Sequence, residues 1–144
     1  MTKVVGVQIF ENKGKPGTPL EQVNALEGHG LEGDRHCMKD RPISMTDKVL
    51  TDWVAAQRYD GLCFKRYKTN IVFDDMSSLS MAQGDTLNFD GGATLRMEGV
   101  FKQCYGEECE LFREGVDCIM PGRMVFASCA KGGCICVDDQ VSNA

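Results

Sequence analysis

With 144 residues, 42% of them hydrophobic and 26% charged, the chain has the size and balance of one globular domain that buries its core without staples. A net charge of −5, with no long basic stripe in either half, argues against general nucleic-acid or anionic-membrane binding. No apolar run approaches a membrane span, and Met1-Thr2-Lys3 leads into a strand pattern instead of a signal-peptide core, so the expected location is the cytoplasm.

Residues 4–10 alternate in the manner of a half-buried strand, with Val5, Val7 and Ile9 on one side. Lys13-Gly14-Lys15-Pro16-Gly17 is a turn signal, and residues 23–26 form a short strand candidate. A glycine-punctuated loop follows, Gly28-His29-Gly30-Leu31-Glu32-Gly33-Asp34-Arg35-His36, and then a strand over residues 42–45. The clearest helix spans residues 47–58, where Val49, Leu50, Trp53, Val54 and Gln57 form one stripe; Thr46 is its expected N-cap and Gly61 its expected terminator. Residues 69–73, 86–89 and 94–98 read as strands, the last two joined by a turn at Asp90-Gly91-Gly92. A short helix over 107–114, ended by Gly115, precedes strands at 124–130 and 135–137, with Lys131-Gly132-Gly133 turning between them. Many short strands with two modest helices predict a mainly β (α+β), barrel-like single domain over residues 1–144.

Eight cysteines are many for this length, and six of them (Cys104, Cys109, Cys118, Cys129, Cys134 and Cys136) crowd the last third. In a cytoplasmic setting they are expected as thiols, not as a disulfide framework. There is no C-x-x-C pair, and the two histidines, His29 and His36, share one distant loop, which argues against a zinc ribbon or finger. Cys104 and Cys109 have the first spacing of a plant-type iron–sulfur motif, but no cysteine follows two residues later.

Cys104 stands out because its sequence position is a strand-to-helix junction, where a helix dipole, backbone N–H groups and nearby Lys102 all favour thiolate. An ordinary thiol of pKa about 8.5 is only ~3% ionised at neutral pH. Lowering the pKa by about two units raises the thiolate fraction roughly 25-fold, of which the drop in nucleophilicity returns about tenfold. Such a site suits a sulfur carrier or soft-metal ligand better than a fast nucleophile; the alternative is a buried cysteine acting as a small hydrophobe. Cys109 is a candidate second thiol that shares or resolves a persulfide through a mixed disulfide. Cys129 reads as core, and Cys134 and Cys136 share a face of the terminal strand, where surface packing competes with a soft-metal site.

The order of these features resembles the MOSC domain, the module named after the C-terminal part of molybdenum cofactor sulfurases. Gly33-Asp34-Arg35-His36 resembles the family's G-D-R-H loop, Arg41-Pro42-Ile43-Ser44-Met45 its R-x-(V/I)-S-(L/M) strand, and Asn70-Ile71 its N-(I/L) element. The stretch ending Gly84-Asp85-Thr86-Leu87 is similar to its L-x-x-G-D-x-L turn, and Cys104 falls on its signature cysteine. The tail, with Cys109, Cys118, Pro121, Phe126-Ala127 and Gly132-Gly133, is similar to short stand-alone bacterial members. Three departures stand against it: residues 72–76 lack the usual threonine and glycine stretch, Val137-Asp138-Asp139 has Asp where Gly is typical, and Cys134 and Cys136 are private to this chain.

The resemblance implies a β-barrel-like fold and association with the molybdenum–pterin cofactor. It implies that Cys104 carries sulfur as a persulfide or ligates molybdenum, and that Gly33, Asp34, Arg35, His36, Arg41 and Asn70 contribute to cofactor binding. No pyridoxal-phosphate desulfurase domain fits in a chain this short, so a cysteine desulfurase-type donor and an acceptor molybdoenzyme or cofactor-biosynthesis protein are the expected partners. The alternatives are a molybdenum-dependent reductase of N-hydroxylated compounds and a non-catalytic cofactor-binding module.

Overall fold

The computed structural model describes residues 2–40, 42–59, 61, 69–100, 108–120 and 122–143. The chain is mainly β: the described residues form ten strands and two short helices. The strands are β1 (Thr2–Ile9), β2 (Thr18–Leu20), β3 (Gln22–Ala25), β4 (Ile43–Asp47), β5 (Ile71–Phe73), β6 (Thr86–Phe89), β7 (Thr94–Val100), β8 (Val125–Lys131), β9 (Gly133–Cys136) and β10 (Gln140–Asn143). Helix α1 covers Lys48–Ala56 and α2 covers Glu110–Arg113. Strands β10, β6, β7, β8, β4, β5 and β1 follow one another in a single sheet, and β1 pairs back onto β10, closing a seven-stranded barrel. Closure leaves the barrel no free edge. Strand β2 extends the far half of β1, while β3 and β9 form a separate two-stranded ribbon. Among the described residues no helix is long and apolar enough to cross a membrane.

The interior follows strand alternation. Leu87 and Phe89 of β6, Leu95 and Met97 of β7, and Val125, Ala127 and Cys129 of β8 all point into one buried cluster. Strand β1 departs from the alternation expected of it. Val4, Val7 and Ile9 face inward, whereas Val5 is 36% exposed. The register with β5 slips between Val4 and Gly6, and this bulge flips the side-chain phase midway.

Strand β4 is buried at all five positions because β5 lies parallel on one side, β8 antiparallel on the other, and both faces are covered. Ile43 and Met45 enter the barrel core, while the polar side chains of Ser44 and Thr46 are hydrogen-bonded to Asn70 and Arg123. Asp47, not Thr46, caps α1: its carboxylate accepts from the Leu50 N–H at 3.0 Å, and the Thr46 hydroxyl donates instead to the Arg123 carbonyl. The helix ends at Ala56 with an extended Gln57 as C-cap, well before Gly61. Its apolar stripe buries Leu50 fully against Met120 and Met124, with Trp53 and Val54 beside them. Burying that leucine contributes about 2 kcal/mol.

Two strands have no counterpart in the sequence reading, β2 and β10. Strand β10 contributes only Val141 to the core, yet its backbone bridges β6 and β1. The turn leading into it puts Asp138 at φ +76°, in the left-handed region; its N–H donates to the Val4 carbonyl, locking the closing strand to β1.

Candidate functional site

The loop between β3 and β4 is bound to the barrel wall by its backbone. The Gly28 N–H donates to the Cys129 carbonyl and the Cys129 N–H to the His29 carbonyl, so the loop lies on β8. Gly30 packs so closely on Pro42 that a Cβ there would sit 2.7 Å from the proline ring, which is why the turn needs glycine. Gly33, at φ +87°, redirects the chain so that the Asp34 side chain turns inward.

Asp34 is the keystone of this end of the barrel, with a side chain fully withdrawn from solvent. Its Oδ1 accepts from the Phe10 N–H at 2.8 Å and from Asn70 Nδ2 at 3.2 Å, and its Oδ2 accepts from the His36 N–H at 3.1 Å. Asn70 is equally engaged: Nδ2 also donates to the Gln8 carbonyl, and Oδ1 accepts from the Ser44 N–H and hydroxyl. The hydrogen-bonding capacity of this buried side chain is thus met inside the protein. Asp34 and Asn70 therefore tie β1, β4 and β5 together and hold the loop; their polar atoms are directed at the protein itself.

Arg35 and His36 ride on this platform, both partly exposed. Arg35 NH1 lies 3.1 Å from His36 Nε2; a guanidinium only donates, so Nε2 accepts and the imidazole proton sits on Nδ1, 3.6 Å from Asp34 Oδ2. Burial, with Arg35 next in importance, holds the His36 pKa below its ordinary 6.5, and Asp34 offsets part of this. An NMR titration of His36 is expected to give a midpoint below 6.5. The unfolded chain then takes up this proton at a higher pH than the folded chain. The stability His36 contributes is thus complete above 6.5 and falls as pH drops through 6.5 toward the folded midpoint. His36→Gln is expected to flatten that part of the pH–stability curve. What this arrangement offers chemically is a guanidinium braced on one side by a neutral imidazole, suited to a phosphate or a ring carbonyl.

Of the residues expected to form the site, Gly33, Asp34, Arg35, His36 and Asn70 come together here. Arg41 and Cys104 lie outside the described residues. Cys109 is buried and stands at the N-cap of α2, a helix of a single turn. Among the described residues no group of three or more His, Cys, Asp or Glu side chains is arranged to hold a metal ion. The described part of the site thus offers the Arg35 guanidinium to an anion or a carbonyl, and among the described residues there is no metal cage.

A second polar centre, not anticipated from the sequence, lies at the other end of β4. Asp47, fully buried, accepts from the Met76 N–H at 3.0 Å and from Arg123 NH1, besides capping α1. Arg123 also donates to Ser77 Oγ and lines an open cleft of about 460 Å³ with Met76, Leu79, Met81 and Ile119. Strand β7 ends at this level, where Val100 pairs with Val125. The one local signal for Asp47 was its place just ahead of a helix; nothing local announced Arg123.

No family model and no curated protein matches the sequence. The fold is similar to the crystal structure of the YUAD protein from Bacillus subtilis, with a TM-score of 0.70 and 18% identity over 98% of this chain and 94% of that one. It is also similar to a crystal structure of a hypothetical protein, with a TM-score of 0.60 and 17% identity over 99% of this chain and 67% of that one. At these identities the likeness establishes a shared fold.

Proposed function

We propose that this protein is a sulfur carrier associated with the molybdenum–pterin cofactor, with Cys104 as the sulfur-bearing thiol. The observation that carries this reading is the direct hydrogen bond between Asp34 and Asn70, 36 residues apart. Two motifs that the family resemblance groups by function are thereby neighbours, and Arg35 projects from their junction. The barrel is of the class the resemblance implies, and the order of motifs from Gly33 to Cys104 supports the same reading.

In the proposed transfer the Cys104 thiolate attacks the outer sulfur of a persulfide on a desulfurase-type donor. The donor's S–S bond breaks, its cysteine leaves as thiolate with the bonding pair, and the sulfur continues as a Cys104 persulfide. No net oxidant is consumed. The acceptor is a molybdenum–pterin centre presented by a molybdoenzyme or a cofactor-biosynthesis protein. Arg35 would meet an anionic or carbonyl oxygen of that acceptor, with His36 bracing it and Asp34 and Asn70 fixing the loop.

The test is mass spectrometry of anaerobic protein incubated with a cysteine desulfurase and cysteine. The expected result is a reducible adduct of about 32 Da on the tryptic fragment holding Cys104 and Cys109. Cys104→Ser is expected to abolish the adduct, while Cys109→Ser retains it. An adduct that survives in Cys104→Ser overturns the assignment. Stoichiometric molybdenum and pterin in protein that takes no sulfur would replace transfer by binding.

A further inference from the structure

Strand β9 carries a pair of thiols that the reading above leaves unused. Cys134 and Cys136 are alternate residues of one strand, so their side chains emerge on the same face, and their sulfurs lie 3.0 Å apart. Between them Ile135 points the other way and is fully buried, anchoring the strand in the core. Hydrogen bonds hold the strand on both sides. Strand β3 pairs Gln22 with Cys136 and Asn24 with Cys134, and the Cys134 N–H donates to the Gly91 carbonyl. The Cys136 N–H donates to Asp139 Oδ2 at 2.9 Å. Packing at Gly91 is so close that a Cβ there would fall 2.0 Å from the Cys134 carbonyl oxygen.

We propose that Cys134 and Cys136 form a reversible dithiol–disulfide couple that exchanges with low-molecular-weight disulfides. A disulfide bond of about 2.05 Å needs the two sulfurs to close by roughly 1 Å and the Cβ atoms to come within about 4.5 Å, closer than a regular strand holds alternate residues, so β9 bends at Cys136, its last residue, as the bond forms. Both thiols are partly exposed, and Cys136 Sγ approaches Gln22 Oε1 at 3.7 Å. Gln22 and Asn24, the residues paired with them across the ribbon, are exposed, so a small reagent meets no covering element at these two positions of β3. This function is independent of Cys104 and of any cofactor.

The exchange balances in two steps. The Cys134 thiolate attacks one sulfur of the incoming disulfide, whose S–S bond breaks and whose other half leaves as thiolate. Cys136 then attacks the Cys134 sulfur of the mixed disulfide, passing its proton to the medium and expelling the second thiolate. Cys134 and Cys136 together lose two electrons, and the incoming disulfide gains two. The order follows from protonation: the hydrogen bond to Cys134 first, then burial and the charge of Asp139, push the Cys136 thiol up to about 11. It therefore keeps its proton while its neighbour attacks. Because the second thiol is already in contact, the mixed disulfide resolves before it accumulates.

Cleavage after Lys131 gives a tryptic fragment beginning at Gly132 that holds these two cysteines and no other. The intact chain is equilibrated with mixtures of oxidised and reduced glutathione, alkylated with N-ethylmaleimide and digested. The expected fragment is doubly alkylated in reducing mixtures. In oxidising mixtures it is unalkylated and two hydrogens lighter, and dithiothreitol restores the thiols. Cys136→Ser is expected to trap glutathione on Cys134 in the same mixtures. A wild-type fragment that stays doubly alkylated where a control dithiol peptide is oxidised overturns the proposal. So does one carrying two glutathiones, or one linked to other cysteine fragments.

Discussion

Replacing Asp47 with alanine is expected to destabilise the protein by about 3–5 kcal/mol, read as a fall in the urea midpoint at unchanged slope. The size follows from what the carboxylate holds. It is fully buried and receives the Leu50 N–H, the Met76 N–H and the Arg123 guanidinium, so its removal strips three donors of one acceptor group. For a chain of this size about 1 kcal/mol corresponds to roughly 2–4 °C, so a Tm lower by roughly 6–20 °C accompanies the loss. Arg123→Met is expected to be milder, about 2 kcal/mol, because Arg123 is 26% exposed and Asp47 keeps its two backbone donors. An Asp47→Ala variant within about 1 kcal/mol of the parent would show that the carboxylate is not the joint between α1, the Met76 turn and β8.

The difference between the two polar centres explains what could be read from the sequence. Asp34 stands inside a recognisable loop, which singles it out in the sequence, but its partners include the Phe10 N–H 24 residues earlier and Asn70 36 residues later. Only the closed barrel reveals that its oxygens serve the backbone. Asp47 has only its place at a helix start and Arg123 no local pattern at all, and the 76 residues between them hide the pairing.

Strands with a full inward set, such as β6, β7 and β8, showed in the alternation of their residues. Strand β10 did not, because one inward valine is too few to make a pattern, and its pairing is a backbone property. The bulge at Val5 defeats the phase of β1 for a related reason: a register slip is set by the partner strand, not by the slipping residues. The short α2 shows a limit of another kind. Glu110 and Leu111 continue a helical pattern, yet a one-turn element depends on tertiary contacts more than on propensity.

Asp34 and Asn70 should behave as one unit in a double-mutant cycle. Asp34→Ala withdraws the acceptor from the Phe10 N–H, from Asn70 Nδ2 and from the His36 N–H, and is expected to cost about 3–4 kcal/mol in urea unfolding. Asn70→Ala takes the acceptor from the Ser44 N–H and the donor from the Gln8 carbonyl, about 2–3 kcal/mol. Their shared hydrogen bond at 3.2 Å makes the pair non-additive by about 1 kcal/mol or more, and strict additivity would mean that the contact is incidental. Arg35→Ala separates stability from recognition at the same loop. Partly exposed, and with a side chain that spans no strands, it is expected to leave the urea midpoint within about 0.5–1 kcal/mol of the parent. Under the proposed function its loss should appear instead as weaker capture of an anionic pterin phosphate, read by calorimetry at low ionic strength and diminishing as salt is added. Equal stability loss in Arg35→Ala and Asp34→Ala, with unchanged anion affinity, would reduce the whole loop to scaffolding.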